Sequence, residues 1–306
     1  MNIFQIIKGF DVTVYHFLGR FAGNWFFDRI VSHEESNSLV KGALFFAMYW
    51  YLWFRNDPDQ KNRRRSIISV LIGTLVAIFV ARTIAFAAPF RTRPMYDPTI
   101  AHSSFSIPLV GNLENWSSFP SDTAAYFFAL AFGLGYLMRP LAVPMVLYAG
   151  VWVCLPRMYM GAHWTSDIVL GSIIGITATW LSLKSSWLQS IVTERIVPII
   201  ETRPEWFYSI AFLGSFEMAV IFENCRHLGR ALLHVAAIES HVGIFQIRAH
   251  TPGDEWAGFV AIAILLGIAT YMRFVLFHKR RGVAMAHPLV ERMQTASDGK
   301  LANPSM

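Results

Sequence analysis

Long apolar runs alternate with short polar segments along this chain, a pattern typical of helices that cross a membrane. Several runs are shorter than about 20 residues, so we expect their ends to extend into flanking aromatic residues or to tilt. The predicted spans cover residues 39–54, 66–88, 121–138, 141–155, 168–183, 206–222 and 256–271. Together they predict an all-α integral membrane protein, folded as one helical bundle without a soluble second domain.

The first 35 residues follow a different pattern. Charged residues such as Lys8, Asp11 and Arg20 interrupt aliphatic and aromatic ones, which is typical of amphipathic helices that lie at the membrane surface. We therefore divide the chain into four parts: interfacial helices at 1–35, a five-span core at 36–185, additional C-terminal spans with an outer loop at 186–282, and a disordered tail at 283–306.

Composition and charge support this division and orient it. The chain is 54% hydrophobic and only 15% charged, with a net charge of +6. Five cations lie in the loop 55–65, which predicts that this loop and the tail are cytoplasmic. The loops 89–120, 156–167 and 226–255 then fall on the opposite face. The positive charge is explained by cytoplasmic anchoring and needs no nucleic-acid partner.

One polar segment, residues 157–167, combines three kinds of chemistry at the mouth of a predicted span. If the chain is helical from Trp164 onward, His163 and Asp167 are an i, i+4 pair with Cβ atoms about 5–6 Å apart. The carboxylate then holds one ring nitrogen and leaves the other free as a base or nucleophile, with Arg157 nearby. The alternative interpretation is an interfacial histidine beside an ordinary helix-start aspartate.

Two further polar segments are expected on the same face. One contains Arg82 and then Arg91 and Arg93, whose planar guanidinium groups match phosphate oxygens. The other opens a span at Ser121, a candidate N-cap, and a helix N-terminus favours a bound phosphate. Arginines, a helix N-terminus and an oriented histidine together indicate a phosphoryl-transfer site that needs no metal or other cofactor.

These segments resemble the three signature motifs of the type 2 phosphatidic acid phosphatase (PAP2) superfamily of membrane lipid phosphatases. Arg157, His163 and Asp167 match the spacing of the third motif without a gap. The second motif, Pro-Ser-(Gly/Asp)-His, is Pro-Ser-Asp-Thr at 120–123, and the first is matched directly only by Arg93-Pro94. The resemblance covers roughly residues 39–183, and the N-terminal helices are similar to those of bacterial undecaprenyl-diphosphate phosphatases.

The resemblance implies a role for each matching residue. His163 attacks phosphorus and forms a phosphohistidine that water hydrolyses, and Asp167 orients the ring. The phosphate-binding group comprises Arg93, Arg157, the backbone of Ser121 with Asp122 and Thr123, and Arg82 or Arg91 in place of the family's lysine. The resemblance also implies a bacterial inner membrane, with the active site on the periplasmic face.

The chain departs from the family at Thr123, where a histidine would protonate the leaving group. A hydroxyl is neither acidic nor basic enough near neutral pH to do this. Three explanations are open. Another group such as His102 substitutes; or the leaving group is itself a phosphate, whose second pKa is about 6, as in a polyprenyl diphosphate; or the chain only binds lipid phosphates.

The interpretation that we carry forward is a metal-independent hydrolase of a lipid phosphate or polyprenyl diphosphate at the non-cytoplasmic face. The alternatives are a lipid-linked phosphotransferase, which passes the phosphoryl group to an acceptor other than water, and a non-catalytic protein that binds or transports lipid phosphates. The sequence predicts membrane lipids as partners and leaves the oligomeric state open.

Overall fold

A computed structural model of the protein describes residues 3–100 and 114–222, and every regular element in these residues is helical. The first five helices are α1 (Ile3–Gly19), α2 (Trp25–Ser36), α3 (Ser38–Phe54), α4 (Gln60–Ala87) and α5 (Asp122–Leu137). They are followed by α6 (Arg139–Tyr159), α7 (Thr165–Lys184), α8 (186–202) and α9 (Pro204–Ala219). The predicted all-α class is confirmed for these residues.

Three of these helices, α4, α6 and α7, are long and apolar enough to cross a membrane, while α3 and α5 are shorter apolar helices. An integral membrane protein is therefore supported, and the number of spans stays a prediction. The predicted span at 256–271 and the tail at 283–306 lie outside the described residues. The segment expected to form interfacial helices, residues 1–35, contains α1 and most of α2, and their place at the membrane interface stays a prediction.

Helix α8 is a helix that the sequence did not predict, because Glu194, Arg195 and Pro198 break its apolar pattern. Side-chain hydrogen bonds tie its first turn to the bundle. The Gln189 amide donates to Ser69 Oγ of α4 at 2.9 Å and to the Leu183 carbonyl at the end of α7 at 3.4 Å. Tertiary contacts therefore hold a segment whose local pattern is ambiguous.

Small residues let α4, α5 and α7 approach closely at the centre of the bundle. Ala77 and Ala81 of α4 and Ala125 and Ala129 of α5 form a fully buried cluster. Gly171 of α7 faces the Ser121 carbonyl at the start of α5. A Cβ atom added at Gly171 would lie less than 3.0 Å from the Ser121 carbonyl oxygen, which is too close for any side chain. Small residues at helix contacts are the usual means of close packing in membranes, where helices gain little from the hydrophobic effect.

Helix α6 carries a π-helical stretch at Tyr148–Cys154, directly before Pro156. Proline has no amide hydrogen, so the carbonyl one turn earlier loses its α-helical partner and the helix widens there. The widened turn precedes Arg157, which stands in the last turn of α6. Arg157 therefore lies in the turn that follows this irregular stretch of α6.

We expect the substitution Gly171→Ala to destabilise the protein, because the added methyl group overlaps the Ser121 backbone. Overpacking of this kind costs about 1–3 kcal/mol. The measurement is the apparent melting temperature of the detergent-solubilised protein. Gly214→Ala in α9 is the matched control, since nothing lies within 4 Å of its added Cβ. Equal melting temperatures for the two variants would contradict the close α5–α7 contact.

Candidate active site

All three polar segments singled out in the sequence meet at one end of the bundle. Arg82 comes from the last turns of α4, and Arg91 and Arg93 follow that helix. Residues 117–122 lead into α5, and residues 157–167 connect α6 to α7. The basic segment 55–65 includes the first residues of α4 and those just before it. It lies at the opposite end of this 28-residue helix, which is about 42 Å long.

The His163 ring is buried, with 3% of its surface exposed, and its orientation is fixed by a backbone carbonyl. Nδ1 lies 2.9 Å from the Ser118 carbonyl oxygen. A carbonyl can only accept, so Nδ1 carries the hydrogen and donates it, and the lone pair of the neutral ring is at Nε2. Nε2 lies 3.5 Å from Nη1 of Arg93. The neutral ring therefore presents a nucleophilic nitrogen toward a cation.

Asp167 does not hold the ring nitrogen as the sequence predicted. Its Oδ2 is 3.8 Å from His163 Nδ1, which is too far for a hydrogen bond. That nitrogen is hydrogen-bonded to the Ser118 carbonyl instead. Oδ2 instead accepts the Trp164 backbone N–H at 2.8 Å, and Oδ1 accepts from Nη1 of Arg91 at 2.6 Å. Asp167 acts on the ring through charge, and it fixes the turn that carries the ring.

Arg93 is held by backbone carbonyls on two sides. Nη1 donates to the Ala162 carbonyl at 2.6 Å, Nε to the Trp116 carbonyl at 3.3 Å, and Nη2 to the Ser117 carbonyl at 3.4 Å. Burial lowers the pKa of Arg93 to about 10, so the guanidinium stays charged at neutral pH. These partners are neutral, and the positive charge beside His163 is therefore available to an anion.

Arg91 directs its guanidinium to carboxylates. In addition to Asp167, it donates through Nη2 to Asp11 of α1 at 2.6 Å and through Nη1 to Ser166 Oγ at 2.7 Å. Its guanidinium carbon also lies 5.6 Å from the centre of the Trp164 ring. These contacts favour a positioning role for Arg91 over the phosphate-binding role considered from the sequence.

The start of α5 is capped by Ser121, as predicted. The Ser121 hydroxyl accepts the Ala124 N–H at 3.3 Å, while the Ser121 N–H donates to the Asp167 carbonyl at 3.1 Å. Because this N–H is already used, the geometry favours a structural role for the Ser121 backbone over a phosphate contact. Thr123, 6% exposed, lies in the first turn, and Asp122 is ion-paired with Arg82.

Arg157 is joined to His163 by a tight turn. The Arg157 carbonyl accepts the backbone N–H of Ala162 at 2.9 Å and that of His163 at 3.4 Å. Gly161 permits this turn because its φ of +73° is costly for residues with a Cβ atom. His102, the candidate substitute acid, lies outside the described residues.

Part of the chain matches a known protein family. Residues 86–190 match the family model of the PAP2 superfamily. The predicted family is confirmed over these residues. The matched segment includes Arg91, Arg93 and the second and third motifs, while Arg82 precedes it. Together with the long apolar helices, the match supports a membrane lipid phosphatase.

A solved structure and the curated proteins complete the comparison. The chain is similar to the crystal structure of the first transmembrane PAP2-type phosphatidylglycerolphosphate phosphatase from Bacillus subtilis. The match covers 58% of this chain and 84% of the Bacillus chain. The two sequences are 18% identical, and the TM-score is 0.38. No curated protein matches the chain significantly.

Electrostatics in the PAP2 segment keep His163 neutral. Burial lowers the pKa of the imidazole below its ordinary value, the positive charges of Arg93 and Arg157 lower it further, and Asp167 opposes them. Within residues 3–100 and 114–222, no group of three or more His, Cys, Asp or Glu side chains is placed to hold a metal ion. The site presents arginines that can attract an anion and, at His163, a ring nitrogen whose protonation is disfavoured.

Three residues of the site were not identified from the sequence. Ser118 fixes the ring through its carbonyl, an interaction that any residue type could supply and that no pattern reveals. Asp11 and Ser166, which are 155 positions apart in the sequence, contact each other, and both contact Arg91. The one available signal was that Asp11 is an acidic residue in an otherwise apolar stripe with Tyr15 and Leu18.

We predict that the His163 ring titrates below about 6.5, the ordinary value for histidine. Histidine resonances of the labelled protein in detergent would give the pKa, and their loss in His163→Gln would assign it. Arg93→Gln should raise the pKa, because removal of a positive charge favours the imidazolium. The control Arg64→Gln, near the start of α4, should leave it unchanged. A pKa at or above 6.5 in the wild type would contradict the geometry.

Proposed function

We propose that this protein is a membrane phosphatase that removes the terminal phosphate of a polyprenyl diphosphate or related lipid phosphate through a phosphohistidine on His163. The observation that carries the proposal is the His163 ring itself. Its Nδ1 hydrogen is bonded to the Ser118 carbonyl, and its Nε2 lies 3.5 Å from the buried Arg93 guanidinium. A phosphate bound by Arg93 would therefore present its phosphorus to the lone pair.

In the first step, Nε2 of His163 attacks the terminal phosphorus, a P–N bond forms, and the bridging P–O bond breaks. The lipid leaves as its monophosphate with the bonding electrons. In the second step, water attacks the phosphorus of the phosphohistidine and the P–N bond breaks. Hydrogen phosphate leaves with one proton of the water, the other proton passes to solvent, and the neutral histidine is restored. Arg93 and Arg157 stabilise the charge on the phosphoryl oxygens in both steps, which is the main contribution of such sites.

The preference for a diphosphate follows from the groups around the leaving position. Thr123 cannot act as an acid at neutral pH. Asp122 is ion-paired with Arg82, and Asp167 accepts hydrogen bonds from Arg91 and Trp164, so the oxygens of both carboxylates are already engaged as acceptors. A leaving phosphate, with a second pKa of about 6, needs no such acid. A lipid alkoxide needs one.

The basic loop supports the proposed orientation. Arg63, Arg64 and Arg65 lie in the first turns of α4, and Arg82 lies in its last turns. Cytoplasmic loops are enriched in lysine and arginine, which favours a catalytic end on the non-cytoplasmic face. In a bacterium this would be the periplasmic face of the inner membrane. The proposed reaction uses no metal or cofactor.

The first test is phosphate release by purified protein in detergent with a chelator present, with a polyprenyl diphosphate and a phosphatidic acid offered side by side. We expect the diphosphate to be the better substrate. His163→Gln should reduce turnover by about 10³-fold or more, because glutamine offers no nitrogen that can attack phosphorus. The control is His16→Gln, which changes an exposed histidine of α1.

Other outcomes of this test distinguish the alternatives. Formation of a phosphorylated acceptor in place of free phosphate, when an acceptor alcohol is added, would identify a phosphotransferase. Lipid binding without release, unchanged in His163→Gln, would identify a binding protein. Equal turnover of both substrates would point to a substitute acid, and His102→Ala would then be compared with the wild type.

The second test restores the family's histidine by the substitution Thr123→His. If the wild type lacks a general acid, phosphatidic acid turnover should rise by about 10²-fold, the usual contribution of such a group. Turnover of the diphosphate should change little, because its leaving group needs no proton. The control Thr123→Ser should leave the ratio of the two rates unchanged. An equal gain on both substrates would refute the leaving-group argument.

A further inference from the structure

Helix α1 contributes a buried carboxylate to the catalytic end of the bundle. The face of α1 that packs on the bundle carries Asp11, Tyr15 and Leu18, while its other sides expose residues such as Phe4 and Phe10. Asp11 is 1% exposed. A buried carboxylate is costly unless hydrogen bonds and a cation compensate it, so its partners reveal what it is for.

All of the described partners of Asp11 belong to the catalytic segments. Oδ1 accepts the Ser166 backbone N–H at 2.9 Å, and Oδ2 accepts the Ser166 hydroxyl and Nη2 of Arg91, each at 2.6 Å. The same Arg91 donates to Asp167 at 2.6 Å. Arg91 therefore bridges one carboxylate from α1 and one from α7.

The bond to the Ser166 N–H also completes the start of α7. The residue before this helix is Trp164, whose side chain has no oxygen to cap the first turn. Asp11 supplies that oxygen from another helix. The same turn carries Asp167, whose backbone carbonyl holds Ser121, and it follows directly on His163.

We infer that Asp11 is a positioning residue of the active site, through which α1 holds Arg91, Asp167 and the first turn of α7 in their reactive arrangement. This inference rests on the proposed phosphatase function. Without the charge of Asp11, Arg91 retains one carboxylate partner and is free to draw Asp167 away from the His163 turn. The N-terminal helix is then a part of the catalytic site as well as a membrane anchor.

The kinetic test compares Asp11→Asn with Asp28→Asn in the full-length protein. Asp28 is the matched control, because it is a carboxylate of α2 that accepts the Tyr159 hydroxyl at 2.5 Å and does not contact Arg91 or α7. We expect Asp11→Asn to lower kcat by about 10- to 100-fold with KM within about threefold, as misplacement of reacting groups does. Asp28→Asn should leave kcat within about twofold of the wild type.

Ser166→Ala provides a second variant should Asp11→Asn not fold, since it removes only the hydroxyl between Asp11 and Arg91. The same fall in kcat at nearly constant KM is expected. A kcat within about twofold of the wild type in the folded variant, or an equal fall in Asp28→Asn, would overturn the inference.

A measurement without substrate separates this inference from the proposed function. Peptide-resolved hydrogen exchange should be faster at residues 164–168 in Asp11→Ala than in Asp28→Ala, by about tenfold or more, because the first turn of α7 loses its cap. If the wild type releases no phosphate but exchange accelerates, the proposed function fails and the coupling stands. Unchanged exchange at these residues overturns the coupling.

Discussion

The arginines of this site repel one another, and the arrangement of the neighbouring groups depends on compensating that repulsion. Four arginines, Arg82, Arg91, Arg93 and Arg157, gather at one end of an apolar bundle, where charge is costly. Two of them are compensated by carboxylates: Asp122 pairs with Arg82, and Asp11 and Asp167 flank Arg91. Arg93 is different, because its described hydrogen bonds go to neutral carbonyls, and burial lowers its pKa. A bound phosphate would supply the negative charge that Arg93 lacks.

Helix packing determines whether these charges can be held in place. Gly171 brings α7 against the first turn of α5, and this approach lets the Ser121 N–H reach the Asp167 carbonyl. The Ser118 carbonyl that holds His163 lies three residues before Ser121. The orientation of the His163 ring therefore depends on a close backbone contact between α5 and α7. A methyl group there would disturb both the fold and the chemistry.

The sequence predicted the parts of this structure that local patterns encode. Apolar runs marked α3 to α7, Ser121 marked the start of α5, and the spacing of Arg157, His163 and Asp167 marked the family. The partners of those residues could not be predicted, since they depend on contacts between distant segments. Asp167 was expected to bind the His163 ring, yet the Ser118 carbonyl takes Nδ1 and Arg91 takes the carboxylate. Asp11 was assigned only to the polar side of an amphipathic helix, although in a membrane the polar side of such a helix can face the protein.

The protonation state of His163 links the missing histidine at position 123 to the choice of substrate. With Nδ1–H bonded to a carbonyl, Nε2 can carry a proton only if the ring becomes a cation. Burial and the neighbouring arginines oppose this by lowering the pKa of the ring. His163 is thus well suited to attack phosphorus and poorly suited to protonate what leaves. In the proposed mechanism the arginines attract the phosphate and His163 supplies the attacking nitrogen, while Thr123 supplies no proton. The proposed mechanism therefore favours a leaving group that departs as a stable anion, as a phosphate does from a diphosphate.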